Sequence, residues 1–460
     1  MKLYFERHDG QAVTCDDFAQ AMMDASSIDL TQFKLWYSQA GTPQVTASWA
    51  YDTSAKRFDL TLEQTLAPTP GQPTKDVMHM PISIGLIGKD GKDMESRVLS
   101  LTEKKQTFSF DNITEQPVVS LNRGFSAPIK LKTTYSNDDL AFLMANDTDE
   151  FARWEAAQTY GTNLLLDMIA AHQKGEELTK DDQFIHAIDA ILHDTALDKD
   201  YVALCLLLPG ENYLAEQMDV IDVDAIHHTR QVLRTFIADH FKDDLLALYR
   251  ALRSDQPYKP DATSAGERSL KNVCLAYLAD LDDPALMAMV SAQYHNADNM
   301  TDRMAALGIL ANKDCKGHDE ALSDFYTRFK DDPLVVDKWL SAQALSYLPS
   351  TLATVKELMS HEAFSIKNPN KVRSLIGAFV HGNQVNYHEA SGAGYEFHAD
   401  QILVLDKINP QIAARMLSPL GKWRHFDENR QTLMKAQLQR ILDTKGLSND
   451  TFEMASKSLA

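Results

Sequence analysis

The sequence has 460 residues, of which 45 are Lys or Arg and 65 are Asp or Glu, and its formal net charge is −20. At roughly 100 to 200 residues per domain this length predicts two to four domains. A hydrophobic content of 44% is enough for a core in each domain, which excludes a disordered chain. So acidic a chain repels phosphate backbones and anionic lipid, which bind clustered Lys and Arg. The composition therefore argues against nucleic-acid and membrane partners.

The cysteines and the N-terminus indicate a reducing compartment. Cys15, Cys205, Cys274 and Cys315 lie far apart and form no C-x-x-C pair of the kind that holds zinc or performs redox chemistry. The opening MKLYFERHDG carries charges from its second residue and lacks the apolar core of a signal peptide. The longest apolar stretch, residues 202–208, is much shorter than the ~20 residues that span a bilayer. We therefore expect a cytoplasmic protein.

The first 36 residues are predicted to be helical. Thr14 and Asp17 have the spacing of a capping box, and Phe18, Met22 and Met23 follow at helical spacing. A second helix is expected from about Asp29.

The apolar residues of this second helix leave it little polar surface; they are Leu30, Phe33, Leu35, Trp36 and Tyr37. Such a helix has to pack against something large, and the preceding residues provide too little surface for that. Residues 1–36 therefore have the character of the end of a domain, and we expect the natural chain to begin before Met1.

The next hundred residues have the two-residue period of β-strands. Seven alternating or apolar runs span residues 45–51, 58–62, 80–86, 98–101, 107–110, 118–121 and 129–134. Asp90-Gly91 provides a hairpin turn after the third run. Short strands with a turn every ~10 residues predict a seven-strand β-sandwich over residues 37–136, since each sheet covers the apolar face of the other. We expect this domain to act as a spacer without chemistry of its own.

Residues 137–460 are predicted to be helical. The chain has 19 Gly and 16 Pro, which is low usage and favours helices over loops. Arg268, Arg303, Lys338 and Arg373 are each 35 residues apart, and each precedes a run of small and apolar residues. A period of this length is typical of stacked helix pairs, so we expect an irregular HEAT-like α-superhelix. The four basic residues themselves have an ordinary interpretation as solvated or carboxylate-paired positions.

The sequence lacks the common catalytic motifs. His-Glu occurs only at His361-Glu362 and His388-Glu389, and the residues four positions after each histidine, Ser365 and Gly392, exclude the H-E-x-x-H zinc motif. The sequence has no P-loop, no G-x-S-x-G and no dinucleotide fingerprint.

Two further histidine groups have no recognisable ligand spacing; they are His227-His228 and the set His381, His388 and His398. We expect surface or hydrogen-bonded side chains there. The sequence therefore predicts no catalytic residue and no metal site in this chain.

Four segments together resemble a known family. They are LYFERHDGQAVTCDDFAQAM near the start, FKLWYSQAGTPQVT, and later NPNKVRSLIGAF and NPQIAARM. They resemble the C-terminal half of the bacterial aminopeptidase N family of gluzincin zinc exopeptidases, in the same order and over essentially the whole chain. The resemblance implies that residues 1–36 are the last helices of a thermolysin-like catalytic domain, followed by the sandwich and the helical domain.

The resemblance also places the catalytic machinery outside this chain. The zinc ligands, the general-base glutamate, the transition-state tyrosine and the G-x-M-E-N loop of the family have no counterpart here. The resemblance therefore implies a zinc aminopeptidase as the complete protein, with the N-terminal catalytic domain and a peptide substrate as partners, while this chain alone is predicted to be inactive. We expect a monomer.

The same resemblance assigns candidate substrate-binding residues. It places NPNKVRSLIGAF and NPQIAARM on the inner surface of a substrate chamber, where arginines face the active site. Arg373 and Arg415 then lie in the second turn of helices that open with Asn-Pro, and Gln411 shares a helix face with Arg415. A guanidinium can bind peptide carbonyls or a terminal carboxylate, although a structural ion pair is the alternative.

Two points stay open at the level of sequence. Residues 381–398 contain three glycines and are expected to form a loop, which is either functional or a turn that shapes the rim of the cavity; the family has a Ser-Gly-x-Gly-Tyr motif where this chain has Ser391 to Tyr395. The alternative to the aminopeptidase interpretation is a free-standing sandwich-plus-solenoid module that binds peptides or a protein without chemistry.

Overall fold

The computed structural model describes residues 1–254 and 256–460. The chain divides into two compact units, one of residues 1–160 with 182–194 and the other of residues 161–181 with 195–460. The division of the chain at residues 36 and 136, made from the sequence, stays a prediction.

The N-terminal helices of the first unit agree only in part with expectation. They are α1 (Lys2–His8), α2 (Cys15–Ser26) and α3 (Leu35–Ser38). The capping box of α2 is confirmed, because the Asp17 amide donates to Thr14 Oγ1 and Asp17 accepts the Thr14 amide. The second helix expected from Asp29 is wrong, since Asp29 forms a local turn with the Thr31 amide and only Leu35–Ser38 is helical.

The large partner expected for this segment is the sandwich of the same unit. Leu35 and Trp36 pack against its core, and the indole of Trp36 donates to the His79 carbonyl at 2.9 Å. The Gln32 amide also donates to the Val77 carbonyl. Some of the apolar side chains of residues 30–37 are therefore buried against the sandwich rather than against another helix.

All seven predicted strands are present. They are β1 (Gln44–Asp52), β2 (Arg57–Thr65), β3 (Met80–Ile87), β4 (Asp93–Leu101), β5 (Lys105–Phe110), β6 (Val118–Leu121) and β7 (Lys130–Lys132). One sheet has the order β5-β2-β1-β7, with β1 and β7 parallel, and the other has the order β4-β3-β6. The turn at Asp90-Gly91 joins β3 to β4, and Gly91 has the positive φ of 76° that this turn requires. Alternate residues of both sheets fill one common core, so the β-sandwich is confirmed.

Helices complete the first unit and lead into the second. They are α4 (Asn137–Asn146), α5 (Glu150–Lys174), which runs from one unit into the other, and α6 (Asp182–Leu192). The Ser136 hydroxyl caps α4 by accepting the Asp139 amide.

The second unit is a succession of helices. Its earlier helices are α7 (Lys199–Cys205), α8 (Glu211–Ala215), α9 (Val223–His240), α10 (Lys242–Ala251), α11 (Ala262–Ala279), α12 (Pro284–Asn296), α13 (Met300–Leu310), α14 (Lys316–Phe329), α15 (Pro333–Ala344) and α16 (Thr351–Leu358). Its later helices are α17 (Pro369–Val372), α18 (Ala378–Gly382), α19 (Gln384–Tyr387), α20 (Ala393–Asp406), α21 (Pro410–Met416), α22 (Ser418–Gly421), α23 (Glu428–Leu442) and α24 (Asn449–Leu459).

The 35-residue repeat corresponds to successive helix pairs. Arg268, Arg303 and Lys338 lie on α11, α13 and α15, which are the first helices of three pairs, and Arg373 follows α17 in the next. The repeated helical architecture is thus confirmed. The four side chains share no common role: Arg268 stacks on Tyr258, for example, while Arg303 is buried and donates to the carbonyl of Tyr294.

Candidate functional site

The first half of the candidate site is a helix with an irregular turn. Asn368 caps it by accepting the Asn370 amide at 3.0 Å, and Pro369 occupies its first turn, where its missing amide costs no hydrogen bond. A π-helical turn, Arg373–Gly377, joins α17 to α18. Such turns are uncommon and occur frequently at functional sites. The expected Asn-Pro helix start is therefore confirmed, and it places Arg373 at the start of the π-helical turn.

The second half is α21, which begins in the same way. The side chain of Asn409 accepts the Ile412 amide at 3.3 Å, and Pro410 follows it. Ala413 and Ala414 are buried, while Arg415 is exposed on the other side of the helix. The short buried alanines thus hold the helix against its neighbours and leave the guanidinium outside.

Arg373 and Arg415 line one cavity of about 440 Å³, which we call the arginine cavity. Its remaining lining consists of Gly377, Ala378, His381, Ile412 and Met416. Arg373 donates to Asn370 Oδ1 at 3.2 Å, which is a contact to a neutral group. Among the described residues, neither guanidinium has a carboxylate partner. The cavity therefore combines two uncompensated positive charges with apolar walls.

Gln411 is exposed on α21 but is not among the described residues that line the arginine cavity. Its position one turn before Arg415 is as expected. Its role in binding stays a prediction, as do those of Arg373 and Arg415.

His381 is a site residue that the sequence reasoning did not select. It follows Arg373 by eight residues, with Gly377 midway, so that all three lie on one helix face. Burial lowers the pKa of the imidazole, and the nearby charge of Lys422 lowers it further. The ring is therefore largely neutral near pH 7. The four-residue spacing of Arg373, Gly377 and His381 in the sequence could have identified His381 as a neighbour of Arg373.

Residues 381–398 do not form the expected loop. They form the end of α18, the short helix α19 and the start of α20, with tight turns between them. Gly392 has a positive φ of 78°, and a side chain at Gly394 would lie 2.3 Å from the carbonyl oxygen of Tyr387. The glycines are needed for close packing of these helices.

Two tyrosine–histidine pairs fill this segment. The Tyr387 hydroxyl is hydrogen-bonded to His398 Nδ1 at 2.8 Å, and the Tyr395 hydroxyl to His388 Nδ1 at 2.8 Å. Burial lowers the pKa of both imidazoles to about 3, helped by the charge of Arg430 at His388. His388 and His398 are therefore buried, neutral and hydrogen-bonded, which is one of the two roles expected for them.

The remaining histidine pair is also engaged. His227 Nδ1 lies 2.7 Å from Glu211 Oε1, and the ring of His228 lies 4.6 Å from that of His172. Within residues 1–254 and 256–460, no three His, Cys, Asp or Glu side chains form a group that fits a metal ion. The described residues therefore do not fit the zinc that the family resemblance implies.

Two family models match the chain. Residues 41–134 match a domain of unknown function with an Ig-like fold, DUF3458, and residues 137–460 match a domain of unknown function with ARM repeats, DUF3458_C. The second match covers well over half of the chain. The chain belongs to the DUF3458_C family.

Relatives of this DUF3458_C chain are aminopeptidases. It is 38% identical to aminopeptidase N of Escherichia coli over 100% of its length and 54% of that protein, and 39% identical to aminopeptidase N of Caulobacter vibrioides over 99% and 53%. The crystal structure of Legionella pneumophila aminopeptidase A in complex with aspartic acid superposes with a TM-score of 0.85 at 32% identity, over 99% of this chain and 53% of that one. The resemblance found in the sequence is thus confirmed, and the chain corresponds to the C-terminal part of these proteins. It spans about half the length of the relatives it matches.

None of the described helices is at once long and apolar enough to cross a membrane.

Proposed function

We propose that this chain is the non-catalytic C-terminal portion of a zinc-dependent aminopeptidase that removes N-terminal residues from peptides, and that its helical unit caps the substrate chamber and binds the peptide. The observation that carries the proposal is the arginine cavity, where Arg373 and Arg415 come together with no carboxylate partner in the described part of the chain. Two such charges favour an anionic or strongly dipolar ligand.

The chemistry of the cavity suits a peptide backbone. A guanidinium binds carbonyl oxygens or a carboxylate through a planar fork of donors and keeps its charge at any physiological pH. Ile412, Met416 and Ala378 provide apolar contact for side chains. His381 adds a hydrogen-bonding group without a third full charge, because burial lowers its pKa. Arg373 and Arg415 are thus suited to hold the part of the peptide beyond the scissile bond.

The test replaces each arginine with alanine in the full-length enzyme. We expect Arg373→Ala and Arg415→Ala to raise KM for a tripeptide by about tenfold, which corresponds to loss of one charge-assisted hydrogen bond of about 1.5 kcal/mol. An aminoacyl p-nitroanilide has no peptide beyond the scissile bond, so its kinetics should stay unchanged.

Arg250→Ala is the matched control, because Arg250 is an exposed helix arginine outside the cavity. The proposal fails if both arginine variants keep tripeptide kinetics within error while their stability falls, since the residues would then be structural.

We further propose that the zinc ligands lie in the part of the enzyme that this chain does not cover, and that the chain alone is inactive. In support, its sequence contains no H-E-x-x-H and its described residues form no metal-binding group. The purified chain should show no turnover of an aminoacyl chromogenic substrate. Turnover by the pure chain that a chelator abolishes would contradict this.

For location and assembly we propose a cytoplasmic monomer whose partners are the catalytic domain and the peptide, with neither nucleic acid nor membrane involved. All four cysteines are free, as expected in a reducing compartment, and Cys205 and Cys274 are buried. The net charge of −20 supports the absence of anionic partners.

A further inference from the structure

A second and larger cavity lies along the first helices of the repeat. Its volume is about 1090 Å³, its walls come from α9, α11, α13 and α15, and we call it the repeat cavity. Among the described residues it shares no lining residue with the arginine cavity. The proposed function assigns it no role.

Most charges in the repeat cavity are already neutralised. Arg234 pairs with Asp280, whose carboxylate oxygen lies 2.7 Å from the guanidinium. Two other lining charges have partners outside the lining: Lys313 lies 2.6 Å from Asp282, and Asp337 lies 2.8 Å from Lys371. The two charges within each of these three pairs cancel, so the pairs provide no net charge to attract a ligand.

Two lining cations are not neutralised in this way. Arg230 donates through Nε to the Pro209 carbonyl at 2.9 Å, while its two terminal nitrogens have no hydrogen-bond partner among the described residues. Lys338 has no ion pair or hydrogen bond through its ammonium group in the same set. Among the described residues, Arg230 and Lys338 are thus lining cations without a carboxylate partner, while the carboxylate of Glu211 lies 2.7 Å from the lining His227.

The rest of the cavity surface is apolar and open. Leu334 is 68% exposed and Leu345 is 39% exposed, and Met304 and Ile309 are half-buried beside them. On α13, a side chain at Gly308 would meet no atom within 4 Å, so the floor at this point is empty space. Exposed leucines next to free cations favour a ligand that has both an anionic and an apolar part.

We propose that the repeat cavity binds a monocarboxylate with an apolar body, such as the carboxyl-terminal residue of a peptide or a short fatty acid. Arg230 and Lys338 hold the carboxylate, since a guanidinium and an ammonium form charge-assisted hydrogen bonds with it. Leu334 and Leu345 cover the apolar body, and the open floor at Gly308 admits it. This site is independent of the arginine cavity.

The test measures binding to the 460-residue chain by isothermal titration calorimetry, with N-acetyl-leucyl-leucine, its C-terminal amide, hexanoate and inorganic phosphate as probes. The acetyl group removes the free amino terminus that an aminopeptidase requires. We expect the dipeptide acid to bind about tenfold more tightly than its amide, because the amide loses the charge-assisted bonds. Tighter binding of the acid or of hexanoate than of the amide supports the proposal, and the tighter of the two identifies the source of the carboxylate. The proposal is overturned if neither the dipeptide acid nor hexanoate binds more tightly than the amide, or if phosphate binds as tightly as the carboxylates.

Variants place the ligand in this cavity. Gly308→Leu should abolish binding, since leucine is a good helix former, its Cβ would meet no atom within 4 Å, and the rest of its side chain would extend into the cavity that Gly308 lines. Gly308→Ala is its control and should keep binding, while Lys338→Gln should weaken it about threefold to tenfold. Arg250→Gln, at an exposed arginine outside both cavities, should leave binding unchanged.

A circular-dichroism melt confirms that each variant is folded. Full binding by a folded Gly308→Leu would overturn the site, as would an equal loss of binding in Arg250→Gln and Lys338→Gln.

Discussion

Arg123 in the first unit and Arg373 in the second show two uses of the same side chain. Arg123 is 7% exposed and fully engaged: it donates to both oxygens of Asp93 at 2.7 and 2.8 Å, to Asp147 at 2.9 Å and to Ser120 at 2.9 Å. Arg373 is exposed and has one hydrogen bond, to the neutral side chain of Asn370. A buried arginine has to be satisfied by the protein, whereas an open one in a cavity keeps its donors for a ligand. The contrast therefore separates structural arginines from candidate binding residues.

The largest effect should come from removal of Arg123. We expect Arg123→Ala to lower the free energy of unfolding of its unit by about 3–5 kcal/mol, because it leaves the buried carboxylate of Asp147 without its partner. Arg373→Ala should change the free energy of unfolding of the second unit by less than about 0.5 kcal/mol, since no carboxylate of the described residues pairs with Arg373. Urea denaturation of both variants measures this, and equal losses would remove the distinction.

The next effect concerns the two buried histidines of the second unit. The buried imidazoles of His388 and His398 have pKa values of about 3 in the folded state, against 6.5 when exposed. Below pH 6.5 both histidines are protonated in the unfolded chain but stay neutral in the folded chain. The stability that the neutral histidines contribute is therefore full above pH 6.5 and is lost as the pH falls toward about 3. Between about pH 7 and about pH 5, each histidine should lower the free energy of unfolding by at most about 2 kcal/mol.

Urea midpoints at the two pH values test this prediction for the second unit. His388→Gln should reduce the pH dependence, and the exposed His228→Gln should keep it. A reduction of the same size in both variants would show that buried imidazoles are not its source.

The smallest effect compares two glycines. At Gly85 a Cβ would lie 2.1 Å from Cζ of Arg123, so Gly85→Ala should displace the guanidinium and cost about 1–3 kcal/mol. At Gly308 the space is open, and Gly308→Ala should stabilise α13 by about 0.5–1 kcal/mol. Thermal denaturation should show a lower melting temperature for Gly85→Ala and a higher one for Gly308→Ala. An unchanged melting temperature for Gly85→Ala would show that the Arg123 side chain can move aside at little energetic cost.

Local patterns predicted most of the fold. Seven strands, the Thr14–Asp17 cap and the Asn-Pro helix starts each depend on residues a few positions apart, and all are present. The helix predicted from Asp29 is absent, because the apolar residues that have helical spacing there pack partly on the sandwich core. The loop expected at residues 381–398 failed because its glycines serve close helix packing rather than chain flexibility.

The sequence by itself determined the β-sandwich, the helical repeat and the family, because period, caps and consecutive strings are local properties of the chain. Only the tertiary structure decided which cations lack a partner. Arg373 and Arg415 meet in one cavity across 42 residues of sequence, and Arg230 and Lys338 meet in another across 108. Asp280, by contrast, neutralises Arg234 from 46 residues away. Charge compensation acts through space over a few ångströms, so between residues this far apart in the chain only the fold reveals it.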